Sequence, residues 1–311
     1  GGRRHPQQGS HRGLHQPGIM RDQLKKTKRT LRAWLIKGLV SMMTRLEVRA
    51  VPKLKRLLLK VFPLIFSKEI QRARELLPAE FADRKDAIIA GMAENQVMTL
   101  LEVFFYEKLL AADPEFVQIE GRENIEEALA GKRGIIILSG HFGNWEVMGY
   151  TLTKMGIPMH VMARAQAVDQ MTAFMNSFRE KRGEIVIMDN TIPAALKLLS
   201  QNKTVGLLAD LNARERGYQV RFFGRAASFY SAPVLLALRS RAPLIPSFAE
   251  RQKNGRLLLR FEKPVEFDRS ASMCSNIQRY VDRYEAAYRR RPDLWCWFHE
   301  RYEFAGLGRT G

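Results

Sequence analysis

Between Gly134 and Arg239 the chain alternates short apolar runs with helix-patterned runs, and this alternation constrains the fold more than any other feature. Strands are predicted over 134–138, 159–163, 185–188 and 204–209, and helices over 145–155, 171–182, 193–200 and 231–239. Apolar runs of this length without polar alternation are those of strands buried on both faces. Strands that alternate with helices predict an α/β domain with a mostly parallel central sheet flanked by helices. Residues 245–251 and 256–262 flank Asn254-Gly255 and predict a hairpin, and 276–291 predicts a closing helix. Upstream, 69–111 is helical in pattern, with no proline from Ala79 to Asp113, and 123–130 predicts a short helix.

The predicted strands run into His141, Arg164, Asp189 and Asp210. Parallel sheets bind ligands beyond the carboxyl ends of their strands. A shared cleft holding His141, Arg164 and Asp210 is therefore one expectation, ordinary polar loops the other. The most informative block is Ser139-Gly140-His141-Phe142-Gly143-Asn144-Trp145-Glu146. On one continuous helix His141 and Glu146 would point about 140° apart. They can meet if His141 sits in the turn and Glu146 in the first helical turn. A neutral imidazole can take a proton from an attacking hydroxyl, while a carboxylate on its other nitrogen fixes the tautomer. No G-x-S-x-G elbow is present, so direct transfer to an acceptor hydroxyl is preferred over a covalent enzyme intermediate. H-x-x-x-x-E is not zinc spacing, and neither a P-loop nor a G-x-G-x-x-G fingerprint occurs. Neither a metal nor a cofactor is expected.

Charge is unevenly placed. The chain carries a net +19, and residues 1–60 hold sixteen Lys and Arg against two acids. Residues 1–24 are expected to be disordered, because Gly1–Gly18 has almost no large apolar residues. Residues 25–66 interleave Trp34, Leu35, Ile36, Leu39 and Leu46 with Lys and Arg, and Lys53–Phe62 is a helix pattern bounded by Pro52 and Pro63. No run reaches the roughly 18 uncharged apolar residues of a membrane span, and the pattern fits a signal peptide poorly. Basic amphipathic helices on an anionic membrane surface are expected over 25–66; the alternative is a helical layer on the protein's own core. A nucleic-acid enzyme would place its positive field around the active groove, so no nucleic acid is expected. Two cysteines exclude a disulfide scaffold and a four-cysteine zinc site.

The block Ser139–Glu146 resembles the H-x-x-x-x-E motif of the bacterial lipid A biosynthesis acyltransferases, the lauroyl and myristoyl transferase family. The resemblance runs from about Leu76 to Tyr302. It includes Gly206-Leu207-Leu208-Ala209-Asp210, Val220-Arg221-Phe222-Phe223-Gly224, Ala242-Pro243-Leu244-Ile245-Pro246 and the closing stretch Tyr288–His299. It implies a glycerol-3-phosphate-acyltransferase-like domain over 67–305. The implied reaction moves an acyl chain from an acyl carrier protein thioester to a hydroxyl of a lipid A precursor at the cytoplasmic face of the inner membrane. In this likeness His141 is the general base and Glu146 orients it. Gly143, Asn144, Arg164 and Asp210 meet substrate. By charge alone, Arg214, Arg216, Arg221 and Arg225 are expected to meet the acceptor's phosphates or the acidic carrier, ordinary solvated charge being the alternative. Two departures bear on the acceptor: Ala165-Gln166-Ala167 follows Arg164, and Leu211 follows Asp210. Another glycolipid, such as a phosphatidylinositol mannoside, is the alternative acceptor. A non-enzymatic membrane-binding protein would explain the charge but not the His–Glu block. Trp295, Trp297, Phe298 and Tyr302 are expected in the core rather than in a lipid pocket.

Overall fold

The computed structural model describes Gly38 and residues 45–162, 170–187 and 191–298, without the side chains of 170–175. The chain forms two units, Gly1–Arg45 and Leu46–Gly311, and every element named below belongs to the second. The helices are α1 (Val51–Ile65), α2 (Ser67–Leu76), α3 (Lys85–Ala112), α4 (Arg122–Ala130), α5 (Trp145–Lys154), α6 (Gln170–Lys181), α7 (Ile192–Ser200), α8 (Ala232–Ser240) and α9 (Met273–Arg290). The strands are β1 (Val117–Glu120), β2 (Ile135–Ser139), β3 (Met159–Met162), β4 (Ile185–Ile187), β5 (Thr204–Leu208), β6 (Tyr218–Phe222), β7 (Arg225–Phe229), β8 (Leu244–Arg251) and β9 (Leu257–Phe261).

The seven-stranded sheet has the order β1-β9-β8-β2-β5-β3-β4. Strands β8, β2, β5, β3 and β4 are mutually parallel. The β8–β9 hairpin reverses direction at Asn254-Gly255, and β1 runs parallel to β9. The expected α/β architecture is thus present, with an antiparallel edge. Successive residues of β2 serve opposite cores. Ile136 and Leu138 join a layer containing residues of α2, α3, α7, α8 and α9, while Ile135 and Ile137 pack with residues of α4 and α5. A strand with cores on both sides must be apolar at every position, hence the unbroken Ile-Ile-Ile-Leu.

Four details differ from the sequence reading. The helical stretch 69–111 is divided by Leu77-Pro78 and a 3-10 turn at Ala79–Arg84. Strand β1 is too short and too evenly half-exposed to stand out from a loop. The β6–β7 hairpin turns on Phe223-Gly224, with φ of +50° and +72°; two positive φ values make a primed turn. Phe at the first position is no turn signal, and it is held there because its ring packs against Trp295 and Trp297. Finally, the helix expected between Pro52 and Pro63 is longer, running over Val51–Ile65. Pro52 and Pro63 both lie inside α1 rather than bounding it, and Phe62 is buried against Phe66 and Phe298. The proposed 1–24 disorder and most of 25–44 lie outside the described residues.

Helix α3 and the turn before it (Ala79–Ala112) are long and apolar enough to cross a membrane, yet most of this apolar stretch is buried within the protein. The buried face of α3 is mostly apolar but includes a polar row. Asn95, Thr99 and Glu102 recur at helical spacing and are buried. All three hold the segment after β2, so α3 acts as a core helix of this domain.

Candidate active site

Strands β2 and β5 are parallel neighbours, with Ser139 in register with Leu208. Their carboxyl ends therefore deliver His141 and Asp210 to the same place. His141 Nδ1 lies 2.8 Å from Asp210 Oδ1, and the His141 backbone N–H donates to Asp210 Oδ2 at 2.8 Å. Trp295 Nε1 donates to the same Oδ2 at 2.9 Å, and Tyr288 Oη lies 3.5 Å from it. Asp210 is 1% exposed. A buried carboxylate needs such donors. Gly140 makes the approach possible, since a Cβ there would stand 2.8 Å from Asp210 Oδ2 and collide with the Tyr288 hydroxyl. Tyr288 is held in turn by stacking on Tyr284, Phe142 and Trp295.

With Nδ1–H donated to Asp210, the lone pair of the neutral ring sits on Nε2. His141 lines a cavity of about 460 Å³. The Trp145 ring meets its imidazole edge-on, 5.1 Å between centroids.

Glu146 does not hold the imidazole by Nδ1, as the spacing argument expected. Its Oε2 accepts from Arg179 Nε at 2.9 Å, and its Oε1 pairs with Arg179 Nη2 and accepts from Trp145 Nε1 at 3.2 Å. The carboxylate on the ring is Asp210's, which is buried and does not line the cavity. Spacing within one helix start could not reveal this, because the pairing depends on which strand lies beside β2.

Gly143 and Asn144 also have different placements from those expected. Gly143 has φ +58° and lies flat against the backbone of Ala249, where a Cβ would clash. Its carbonyl accepts from Thr99 Oγ1 at 3.1 Å and Asn95 Nδ2 at 3.4 Å. Asn144 is fully buried. Its Oδ1 caps α5 by accepting from the Val147 N–H at 3.1 Å, and its Nδ2 donates to Glu102 at 2.7 Å. Glu102 is paired in turn with Arg251. Both residues anchor the His141 turn to α3 and β8, and neither lines the cavity. Arg214, Arg216 and Arg221 are exposed, the first two in a 3-10 turn and the last on β6. Arg164, and Asp189 at the end of the third predicted strand, lie outside the described residues. Trp295 and Trp297 are fully buried in the core, as expected.

The cavity lies on the α5 side of the sheet. Its walls are mostly apolar: Ile137, Met148, Met159, Val161, Leu208 and Leu211 contribute. Gly206 leaves room in the floor, and a Cβ there would meet Met159 Cε at 2.8 Å. One wall is charged, formed by Glu146, Arg179 and Glu184. Arg179 and Glu184 went unnoticed in the sequence because they flank the end of α6 with no motif around them. Burial first, then the nearby Glu146 carboxylate, push the Glu184 carboxyl up to about 8. Burial also raises the Tyr150 phenol.

A buried carboxylate–imidazole pair at an apolar cavity fits proton abstraction beside a hydrocarbon chain. The family model for bacterial lipid A biosynthesis acyltransferases matches residues 23–303. The chain belongs to this family. Among curated proteins it is similar to phosphatidylinositol mannoside acyltransferases. It is 26% identical to that of Mycolicibacterium smegmatis over 129 residues, 40% of this chain and 42% of the relative. It is 25% identical to that of Mycobacterium tuberculosis strain H37Rv over 134 residues, 42% of each. The chain thus spans about two fifths of the length of the curated relatives it matches.

Proposed function

We propose that this acyltransferase moves a fatty acyl chain from an acyl carrier protein thioester to a hydroxyl of an anionic glycolipid, with His141 as general base. The observation that carries this is the Asp210–His141 pair beside a largely apolar cavity of about 460 Å³, a volume within the usual range for small-molecule pockets. The acyl chain lies along Met148, Met159 and Gly206. His141 Nε2 takes the proton of the acceptor hydroxyl while its oxygen forms a bond to the thioester carbonyl carbon. The tetrahedral intermediate then collapses by breaking the C–S bond. The imidazolium returns the proton to the departing sulfur, so ester and free thiol are formed and the enzyme is unchanged. Asp210 holds the tautomer and stabilises the imidazolium between the two steps. Glu146, paired with Arg179, shapes the cavity wall beside His141.

Two acceptors are supported. Family membership favours a lipid A precursor. The mannoside acyltransferase relatives, with the departures at Ala165–Ala167 and Leu211, favour a mannose-bearing phospholipid. Both are anionic membrane lipids. Helix α1 suits such a surface: Leu57, Val61, Leu64 and Ile65 are exposed, Leu64 by 80%, beside exposed Lys53, Arg56 and Lys60. We place the enzyme peripherally on the cytoplasmic face of the inner membrane, held by this helix and the basic segment before it.

The test is acyl transfer by the purified protein from acyl carrier protein thioesters to each acceptor in parallel, beside His141→Ala. The expected result is transfer to one acceptor, lowered about 10²–10⁴-fold in the variant, the span of a general base. Equal transfer by both proteins refutes the role of His141. No transfer by folded wild-type protein refutes the reaction.

A further inference from the structure

One wall of the cavity carries a carboxyl that acyl transfer does not use. Gly183, with φ +83°, ends the turn after α6 and reverses the chain. The Glu184 N–H returns to the Arg179 carbonyl at 3.1 Å, and the Glu184 side chain enters the domain. It is 4% exposed and lines the cavity. Its Oε1 occupies the space that a Cβ on residue 149 would need, so Gly149 lets it lie flush with α5. No described residue makes a hydrogen bond with the Glu184 carboxyl. Arg179, the nearest cation by chemistry, is already committed to Glu146. Buried polar groups nearly always have a partner, and an exception at a cavity wall points to what fills the cavity.

We propose that the Glu184 carboxyl is a subsite for an oxygen substituent, a hydroxyl or keto group, part-way along the acyl chain. This rests on the acyl-transfer reading above. Its consequence is selection of an oxygenated acyl donor over a plain chain of the same length. The chemistry favours a neutral substituent. Glu184 is protonated at neutral pH, since burial and Glu146 push it up to about 8. It then offers one O–H donor and one carbonyl acceptor, the complement of a hydroxyl. An anionic substituent would face Glu146, and a cationic one would need Glu184 ionised. The position follows from the helix. Gly149 lies four residues beyond Trp145, roughly 6 Å along α5, so the substituent lies well down the chain rather than beside the thioester.

The test is a competition between acyl carrier protein thioesters of one chain length: unsubstituted, hydroxylated at the second carbon, and hydroxylated at successive mid-chain carbons. Wild-type protein should favour one mid-chain hydroxyl about three- to tenfold in kcat/KM, the worth of one added hydrogen bond, with no gain at the second carbon. Glu184→Gln should keep a preference and Glu184→Leu should bring the ratio to about one. Binding of a free mid-chain hydroxy fatty acid should also shift a protonated-carboxyl band in the infrared difference spectrum that Glu184→Gln lacks. Equal use of all donors, a preference that survives Glu184→Leu, or an unshifted band overturns the subsite. Transfer from the plain donor leaves the parent reading standing in each of those cases. No transfer from any donor by folded protein overturns both.

Discussion

Replacing Asp210 by Asn changes one atom and should invert the hydrogen-bond logic around His141. Asp210 Oδ2 accepts from two fixed donors, the His141 N–H at 2.8 Å and Trp295 Nε1 at 2.9 Å, with the Tyr288 hydroxyl at 3.5 Å. In Asp210→Asn the single carbonyl oxygen is drawn to that cluster, because an NH₂ there would face donors alone. The NH₂ then occupies the Oδ1 position, 2.8 Å from His141 Nδ1. A donor at that position demands the lone pair on Nδ1 and moves the ring proton to Nε2. The ring becomes the wrong tautomer for a base working through Nε2, and the charge that stabilises its protonated form is gone. The same change in a serine protease triad lowers kcat by about 10⁴, so a fall of about 10³–10⁴ is expected here, or about 4–5.5 kcal/mol of barrier. The volume is unchanged, so KM for the acyl donor should move little. The assay is steady-state transfer with ¹⁵N NMR of the imidazole, which reports the tautomer directly. A loss below tenfold in Asp210→Asn, together with a loss above a hundredfold in Glu146→Gln, would refute the assignment and return the orienting role to Glu146.

Three further outcomes are expected. Glu102→Ala leaves Arg251 buried without its carboxylate and removes an acceptor of Asn144, so denaturant unfolding should show a loss of about 3–5 kcal/mol, with Glu102→Gln losing less. Glu184 has a folded pKa raised to about 8, so its contribution to stability is full below the unfolded value near 4.3 and is lost as pH rises through about 8. Glu184→Gln should therefore gain on wild type by roughly 1.4 kcal/mol per pH unit between those limits in paired unfolding curves, and a pH-independent difference would contradict a buried neutral carboxyl. Leu57→Glu with Leu64→Glu should weaken co-sedimentation with anionic vesicles at least tenfold, from the ~1.5–3 kcal/mol that burial of each leucine supplies, while detergent-phase activity persists; unchanged sedimentation would refute docking through α1.

Much of the architecture is local and so was legible in the chain. The Ile135–Leu138 run reads as a strand covered on both faces, and Asn254-Gly255 as a tight turn, and the structure has both. The basic, leucine-rich pattern of α1 and the glycine-flanked His141 were equally visible. What sequence could not supply was the order of strands. Asp210 lies 69 residues from His141 and reaches it only because β5 crosses to lie beside β2. The nearer Glu146 was the natural guess, but its helix turns it toward Arg179, which arrives from α6. Gly143 looked like a substrate contact until β8 proved to run directly beneath it. Helical and strand periods act between neighbours in the chain and are written in it. Pairing of a buried carboxylate with a distant imidazole depends on sheet order, and long-range packing alone decides that.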